Sequence, residues 1–117
     1  MTLTHNDLNI VAQVIAILNT EYKHSQSHAR LANRFHISES RLRKVFKLVT
    51  GKTINDFLTD ARIEKSKEFL CNTDDLIKKI AFNVGYDTRN FEKQFKKITG
   101  MTPLEWRISD RESRIAS

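Results

Sequence analysis

The 117-residue sequence is poor in the residues that punctuate loops and cross-link chains, with three glycines, one proline and one cysteine. Sandwiches and barrels need a turn every few residues, so this scarcity disfavours them and favours helices joined by short loops. A chain whose sole cysteine is Cys71 forms no internal disulfide, which is compatible with a reducing compartment. No apolar stretch approaches the roughly 20 residues that span a bilayer, so we expect no membrane partner and a cytoplasmic location.

The usual sequence signals of catalysis and metal binding are also missing. No glycine-rich phosphate loop is present, and Cys71 has no histidine in a recognisable pairing. The four histidines lack the spacing of metal ligands: His5, His24, His28 and His36. We therefore expect no catalytic residue, no metal site and no cofactor.

Positive charge is abundant and unevenly distributed. The net charge is +6, and residues 1–40 carry three basic and three acidic side chains, whereas residues 41–117 carry seventeen and eleven. Between Arg41 and Lys52 there are five basic residues and no acidic one. Clustered positive charge suits a polyanionic partner, although a solvated basic surface has the same composition.

The sequence repeats itself with a period of 49 residues and no gap. Apolar positions pair along the alignment, for example Phe57 with Trp106. Two copies are too few for a solenoid and indicate one small helical module used twice. The identical pairs are Ala32 and Ala81, Lys44 and Lys93, Phe46 and Phe95, Lys47 and Lys96, Thr50 and Thr99, Gly51 and Gly100, and Thr53 and Thr102.

Apolar spacing and capping residues predict an all-α fold of about seven helices. The first helix has a wide apolar stripe that includes Leu8, which is typical of a core helix. Thr102, Pro103 and Glu105 together make a strong start signal for the last helix. The predicted helices cover about 6–22, 28–35, 40–50, 53–70, 76–84 and 88–99, and a seventh begins at 103.

These helices group into two helix-turn-helix subdomains joined by a linker helix. A helix-turn-helix needs a small residue where its two helices cross, and Ala32 and Ala81 occupy that position. Gly85 occupies the turn position that favours glycine, whereas its counterpart is His36. The predicted boundaries are 1–52 for the first subdomain, 53–71 for the linker helix, 72–108 for the second subdomain and 109–117 for a frayed tail.

The second helix of each copy is the one expected to enter a DNA major groove. Its buried face is predicted to consist of Leu42, Val45, Phe46 and Val49 in the first copy and of Phe91, Phe95 and Ile98 in the second. The opposite face then displays basic and polar side chains. Lysines late in or just past these helices are expected to meet phosphates, namely Lys47, Lys52, Lys96 and Lys97.

The linker helix sets the expected spacing between the two subdomains. Eighteen residues at about 1.5 Å each give roughly 27 Å, and one turn of B-DNA is about 34 Å. We therefore expect the two recognition helices to enter successive major grooves on one face of the duplex.

Two other binding functions remain alternatives. A helical protein–protein interaction module without DNA specificity should expose apolar anchors, whereas the outward faces here are basic and polar. Binding to RNA or to a single strand should expose aromatic side chains, but most aromatics fall on predicted buried faces.

The segment from about residue 27 to 107 resembles the DNA-binding region of the AraC/XylS family of bacterial transcription regulators. The resemblance rests on the stretches Arg62-Ile-Glu-Lys-Ser-Lys-Glu-Phe-Leu70 and Phe95-Lys-Lys-Ile-Thr-Gly-Met-Thr-Pro103. It implies two helix-turn-helix units that bind double-stranded promoter DNA at the bacterial nucleoid and usually activate transcription, with RNA polymerase as a further partner. It implies no small-molecule effector site in this chain.

The resemblance also implies which side chains read bases. Carried over by position, the base readers are Ser40, Arg43 and Lys44 in the first unit and Arg89, Asn90 and Lys93 in the second. Secondary or phosphate contacts are expected from Arg41, Thr88 and Glu92 as well as from the four lysines named above. Two departures from the family pattern, His28 and the order Asp75-Leu76, predict an irregular start for the first short helix of each unit.

Overall fold

The structure is a computed structural model that describes residues 2–116. Within that range the chain forms seven helices and no strand, which confirms the predicted fold class. None of the described helices is both long and apolar enough to cross a membrane. The helices are α1 (His5–Thr20), α2 (His28–Arg34), α3 (Glu39–Thr50), α4 (Ile54–Asn72), α5 (Ile77–Asn83), α6 (Thr88–Thr99) and α7 (Pro103–Ala116).

The 49-residue period of the sequence is repeated in the backbone. Helices α5 and α6 begin and end at residues exactly 49 positions after those that bound α2 and α3. Helices α1, α4 and α7 begin one period apart, and a threonine precedes each of them. The hydroxyl oxygens of Thr4, Thr53 and Thr102 each accept a hydrogen bond from the backbone N–H three residues later. These caps satisfy amide groups that have no partner inside the helix.

The first compact unit ends at Leu58. Its core forms where α1 and α2 pack against α3, and it also includes Ile54 and Leu58 from the start of α4. Leu8, which was predicted to lie in the apolar stripe of α1, is 47% exposed because the buried stripe runs along the neighbouring face of that helix. The buried residues of α1 that form this stripe are Ile10, Val11, Val14 and Leu18.

The second compact unit begins at Thr59. Its core residues are fully buried and come from α4, α5, the residue that follows α5, and α6: Ile63, Leu70, Ile80, Ala81, Val84, Phe91 and Phe95. One aromatic pair has the same edge-to-face geometry in both units. The ring centroids of Phe46 and Phe57 lie 5.6 Å apart, and those of Phe95 and Trp106 lie 5.7 Å apart.

The division into two units falls inside α4, the helix predicted as a separate linker. Ile54 and Leu58 at its start belong to the first core, whereas Ile63 and Leu70 are buried in the second unit. The first part of α4 therefore contributes buried residues to the first core, and the rest of the helix contributes them to the second. Met1 and Ser117, the ends of the predicted ranges, lie outside the described residues.

The C-terminal segment, predicted to fray from residue 109, continues as helix α7 to Ala116. Two arginines of α7 contact the last turn of α4 and the loop that follows it. Arg107 donates to the carbonyl of Leu70 at 3.0 Å and to that of Thr73 at 3.2 Å. Arg111 donates to the Thr73 carbonyl at 3.0 Å and pairs with Asp74 at 2.7 Å. Polar residues thus hold this helix in place, which a reading based on apolar spacing does not detect.

Candidate nucleic-acid interface

The helix crossings of both units are built around a buried alanine. Ala32 and Ala81 are 3% and 0% exposed. Their carbonyl oxygens accept hydrogen bonds across the turn, from the N–H of Ile37 at 3.1 Å and of Tyr86 at 2.9 Å. A larger side chain would meet the facing helix, because interiors are packed to crystal density. The predicted helix-turn-helix corners therefore form in both copies.

The two turns differ at one residue. His36 has a φ of 56°, in the left-handed region, and Gly85 at the equivalent position has a φ of 93°. Glycine adopts such angles without steric cost, whereas a residue with a Cβ is strained there. Both copies thus require the same turn, and only the second has the residue that suits it.

The second helix of each corner, α3 or α6, is capped at both ends. The side chains of Ser38 and Asp87 accept hydrogen bonds from the N–H groups of Arg41 at 3.1 Å and Asn90 at 2.7 Å. At the other end, Gly51 and Gly100 have φ angles of 77° and 82°, the left-handed conformation typical of a helix C-terminus. The caps fix where α3 and α6 begin and end.

The start of the first helix in each corner differs between the units. The Ser27 hydroxyl accepts from the N–H of Arg30 at 3.3 Å, so α2 has an ordinary side-chain cap and the predicted irregular start is wrong there. In α5 the capping position is held by Leu76, which makes no capping hydrogen bond, so the irregular start is confirmed. The transposed order Asp75-Leu76 explains this, because leucine has no acceptor.

The outer faces of α3 and α6 are polar and accessible. The six predicted base readers are all exposed: Ser40, Arg43, Lys44, Arg89, Asn90 and Lys93. Five of the predicted secondary contacts are exposed as well, namely Lys47, Lys52, Glu92, Lys96 and Lys97, whereas Arg41 and Thr88 are half-buried. Val49 and Ile98, predicted to face inward, are 39% and 42% exposed. Each lies one residue before the end of its helix, at the margin of its core.

In the first unit, a buried carboxylate fastens α3 to α1. Asp7 is 3% exposed, and its Oδ2 lies 2.7 Å from a terminal guanidinium nitrogen of Arg41. The same oxygen accepts from the N–H of Thr4 at 2.9 Å. That backbone hydrogen bond, the Thr4 hydroxyl and Arg41 together hold the pKa of Asp7 below its ordinary value of 3.8, against the opposing effect of burial. Arg41 thus links the recognition helix to the cap of α1.

A second set of contacts in the first unit holds Arg43. The Nε of Arg43 donates to Nδ1 of His28 at 3.2 Å, and a terminal guanidinium nitrogen pairs with Glu39 one turn earlier in α3. The Nε2 of His28 lies 3.2 Å from Oδ1 of Asn55 in α4. Sequence reasoning missed the roles of His28, Glu39 and Asn55, although the unusual histidine at position 28 was the available signal.

In the described part of the second unit, α6 has no comparable contacts. Within residues 2–116, the side chains of Arg89, Lys93 and Lys97 form no hydrogen bond or ion pair. Lys96 lies close enough to Glu105 to help lower the pKa of that carboxyl, which the Thr102 N–H lowers most. Arg89, Lys93 and Lys97 are therefore exposed and have no protein partner that orients them within the described residues.

One apolar residue on the outer face of α3 was not predicted. Leu48 is 58% exposed. It lines an open groove of about 530 Å³ together with Arg43, Lys44 and Lys47. Its counterpart one period later is Lys97, so the two recognition helices differ in polarity at this position. An exposed leucine among basic residues is suited to contact a thymine methyl group.

The Cys71 thiol lacks the environment of a catalytic nucleophile. Burial, together with the nearby Asp110 carboxylate, raises the pKa of Cys71 above its ordinary value. Nucleophilic cysteines need the opposite shift, because the thiolate is the reactive form.

Comparison with known proteins places this arrangement among transcription regulators. A helix-turn-helix domain family matches residues 31–109 of the chain. The uncharacterized HTH-type transcriptional regulator YtdP of Bacillus subtilis is 30% identical over 104 residues, which cover 88% of this chain and 14% of that protein. The HTH-type transcriptional activator RhaR of an Enterobacter species is 34% identical over 77 residues, covering 65% of this chain and 27% of that protein.

A solved structure has the same fold. The C-terminal domain of AraT, a response regulator from Geobacillus stearothermophilus, matches with a TM-score of 0.81 at 27% identity, covering 86% of this chain and 84% of that one. The chain spans 14% and 27% of the two curated relatives, so it corresponds to one part of each. These relatives are regulators and not enzymes. The chain belongs to the AraC-type family of helix-turn-helix, DNA-binding transcription regulators.

Proposed function

We propose that the chain activates transcription by inserting α3 and α6 into successive major grooves of a promoter site. The observation that carries this proposal is common to both helices. Each has four basic residues and one acidic residue, and each buries apolar residues while it exposes most of the basic ones. A helix of this kind offers cations to a duplex and keeps its packing against the rest of the unit.

We assign base reading to exposed residues in the first two turns of α3 and α6. Arginine forks onto guanine and asparagine onto adenine, so Arg43, Arg89 and Asn90 suit this role, together with Ser40, Lys44 and Lys93. Phosphate contacts are assigned to Lys47, Lys52, Lys96 and Lys97, and secondary contacts to Thr88 and Glu92. Arg41 is assigned to holding α3 in place, because its guanidinium already pairs with the buried Asp7.

The length of α4 supports the proposed spacing of the two contacts. Its 19 residues give a helix of roughly 28 Å at 1.5 Å per residue. This length approaches the rise of one turn of B-DNA, about 34 Å. The proposed site is therefore a single asymmetric sequence with two contacted segments about one helical turn apart.

Activation is proposed from a relative and not from the site itself. RhaR is named a transcriptional activator, and an activator contacts RNA polymerase, which we propose as the protein partner in the bacterial cytoplasm. Transcription in vitro from a promoter that carries the selected site should rise when the chain is added. A fall would identify a repressor.

The proposal is tested by selecting preferred sites from random duplex DNA and footprinting the result. We expect one asymmetric site across two successive grooves. Arg43→Ala and Lys93→Ala should relax base preference at separate positions of that site, each by about tenfold, because a good base contact contributes ~1–3 kcal/mol.

The control is Lys23→Ala, which removes one charge from the exposed loop after α1. It should leave base preference unchanged. Equal losses of affinity on every sequence for Arg43→Ala and Lys93→Ala would contradict base reading and leave these residues with phosphate contacts.

A further inference from the structure

We propose that His28 is a specificity-determining residue of the first unit, because it holds Arg43 in the orientation that reads a base. This inference rests on the proposed role of Arg43. His28 does not belong to the recognition helix; it is the first residue of α2. Its effect on base choice would act through the hydrogen bond from Arg43 Nε to His28 Nδ1, 3.2 Å long.

The chemistry of this contact fixes the state of the imidazole. A guanidinium N–H only donates, so Nδ1 of His28 must accept and carries no proton. A neutral imidazole then bears its proton on Nε2, which donates to Oδ1 of Asn55 at 3.2 Å. Asn55 thus orients the ring and selects the tautomer that Arg43 needs.

The contacts hold Arg43 from two sides. Nε is fixed by His28, and a terminal nitrogen is fixed by Glu39 within the same helix. Arg43 is still half-exposed, with 51% of its side-chain surface accessible. A free arginine loses rotamer freedom when it forks onto a base, and a side chain held in advance loses less. The expected consequence is sharper discrimination at the base that Arg43 contacts.

The second unit is a natural comparison, because none of these four groups is repeated there. One period after His28, Glu39, Arg43 and Asn55 stand Ile77, Thr88, Glu92 and Leu104. No arginine or lysine of α6 is held in this way within the described residues. The hydrogen-bond relay is therefore not a requirement of the helix-turn-helix scaffold, which forms in both copies.

The test compares base preference among variants at the position that Arg43→Ala relaxes. His28→Leu replaces the acceptor with an apolar side chain, and it should lower discrimination there about threefold to tenfold, the range for the net contribution of a typical hydrogen bond. His28→Gln keeps an acceptor oxygen and should retain most of the preference. In the Arg43→Ala background, His28→Leu should add nothing, as a double-mutant cycle requires.

The matched control is Ile77→Leu at the equivalent position of the second unit, which should change no base preference. Thermal melting checks that each variant is folded. Should His28→Leu fail to fold, Asn55→Ala replaces it, because loss of the ring's partner should lower discrimination at the same base.

The outcomes separate the two proposals. Unchanged base preference in Arg43→Ala would overturn base reading by Arg43 itself. A changed preference in Arg43→Ala with an unchanged one in His28→Leu would overturn the positioning role of His28. A uniform loss of affinity on all sequences in His28→Leu, or no rescue by His28→Gln, would also overturn it, since either result indicates a structural contribution only.

Discussion

The two helix-turn-helix units share one backbone and differ in how they hold their basic side chains. Helices α3 and α6 each contain 12 residues and are followed by a glycine in the left-handed conformation. The hydroxyls of Thr50 and Thr99 each donate at 2.8 Å to the carbonyl four residues earlier. They also accept from the N–H two residues later, at 3.1 and 3.2 Å.

The difference lies on the outer surface. In the first unit Arg41 is fastened to Asp7, and Arg43 to His28 and Glu39. The basic residues of α6 lack such partners within the described part of the chain. The comparison indicates that buried and capping residues determine the backbone that the two units share, whereas the residues on the exposed faces of α3 and α6 differ between the units. We expect the first unit to read a narrower set of sequences than the second.

The largest predicted effect concerns the crossing that both units share. Ala32→Leu and Ala81→Leu should each lower the free energy of unfolding by ~1–3 kcal/mol through overpacking. Both alanines are buried, so we expect losses of similar size in the two units. Urea denaturation followed by circular dichroism and by Trp106 fluorescence measures this. The single tryptophan lies in the second unit, so its signal reports that unit.

The control for the crossing is Ala29→Leu, an exposed position of α2, which should change stability little. An unchanged urea midpoint in either crossing variant would show that the two copies do not pack alike. Coincident transitions by both probes in Ala32→Leu would show that the units unfold together, and separate ones that each unit is independently stable.

Much of this fold could be predicted because its determinants are local or periodic. The capping residues Thr102 and Glu105 define a helix start in sequence, and the structure has both hydrogen bonds, at 2.9 and 3.2 Å. The buried alanines and the terminal glycines were visible through the repeat. The residues that are identical one period apart therefore include those that determine the backbone conformation of each unit.

The contacts that orient the recognition helix could not be predicted in this way. Arg43 contacts His28 of α2, which in turn contacts Asn55 of α4, and only folding brings His28 and Asn55 beside α3. Apolar spacing also failed at helix margins. Val49 and Ile98 fall on the buried face by angle but lie one residue before their helices end, so both are exposed. Apolar periodicity predicts which face of a helix is buried, but it does not predict how far along the helix the buried region extends.

A smaller effect should appear at the turn residue that differs between the units. Gly85→Ala should destabilise by ~1–2 kcal/mol, because a Cβ is strained at positive φ. His36→Gly should stabilise slightly, by up to ~0.5 kcal/mol, since relief of strain exceeds the entropy that glycine adds to the unfolded chain. Paired urea titrations of the two variants measure both. Destabilisation by His36→Gly would mean that the His36 side chain contributes contacts that outweigh its strain.

The smallest expected effect is a loss of stability at acid pH. It compares Asp7, whose carboxylate joins two helices, with Glu105, whose carboxylate caps its own helix. The pKa values of Asp7 and Glu105 are lowered, in both cases chiefly by a backbone N–H, of Thr4 and of Thr102. A group whose pKa is lower in the folded state stabilises above its ordinary pKa and loses that contribution as pH falls through the folded value. The losses should therefore begin below the ordinary values of 3.8 and 4.5.

Asp7→Asn and Glu105→Gln should each remove part of this acid-dependent loss when urea midpoints are followed from pH 7 to pH 3. We expect the flatter profile in Asp7→Asn, because protonation of Asp7 also ends its ion pair with Arg41. Glu105 belongs to the capping box of α7 and lies in the second unit, so its variant should act mainly on the Trp106 signal. If the urea midpoint of Asp7→Asn varied with pH in parallel with that of the unaltered chain, the Asp7–Arg41 ion pair between α1 and α3 would not stabilise the first unit.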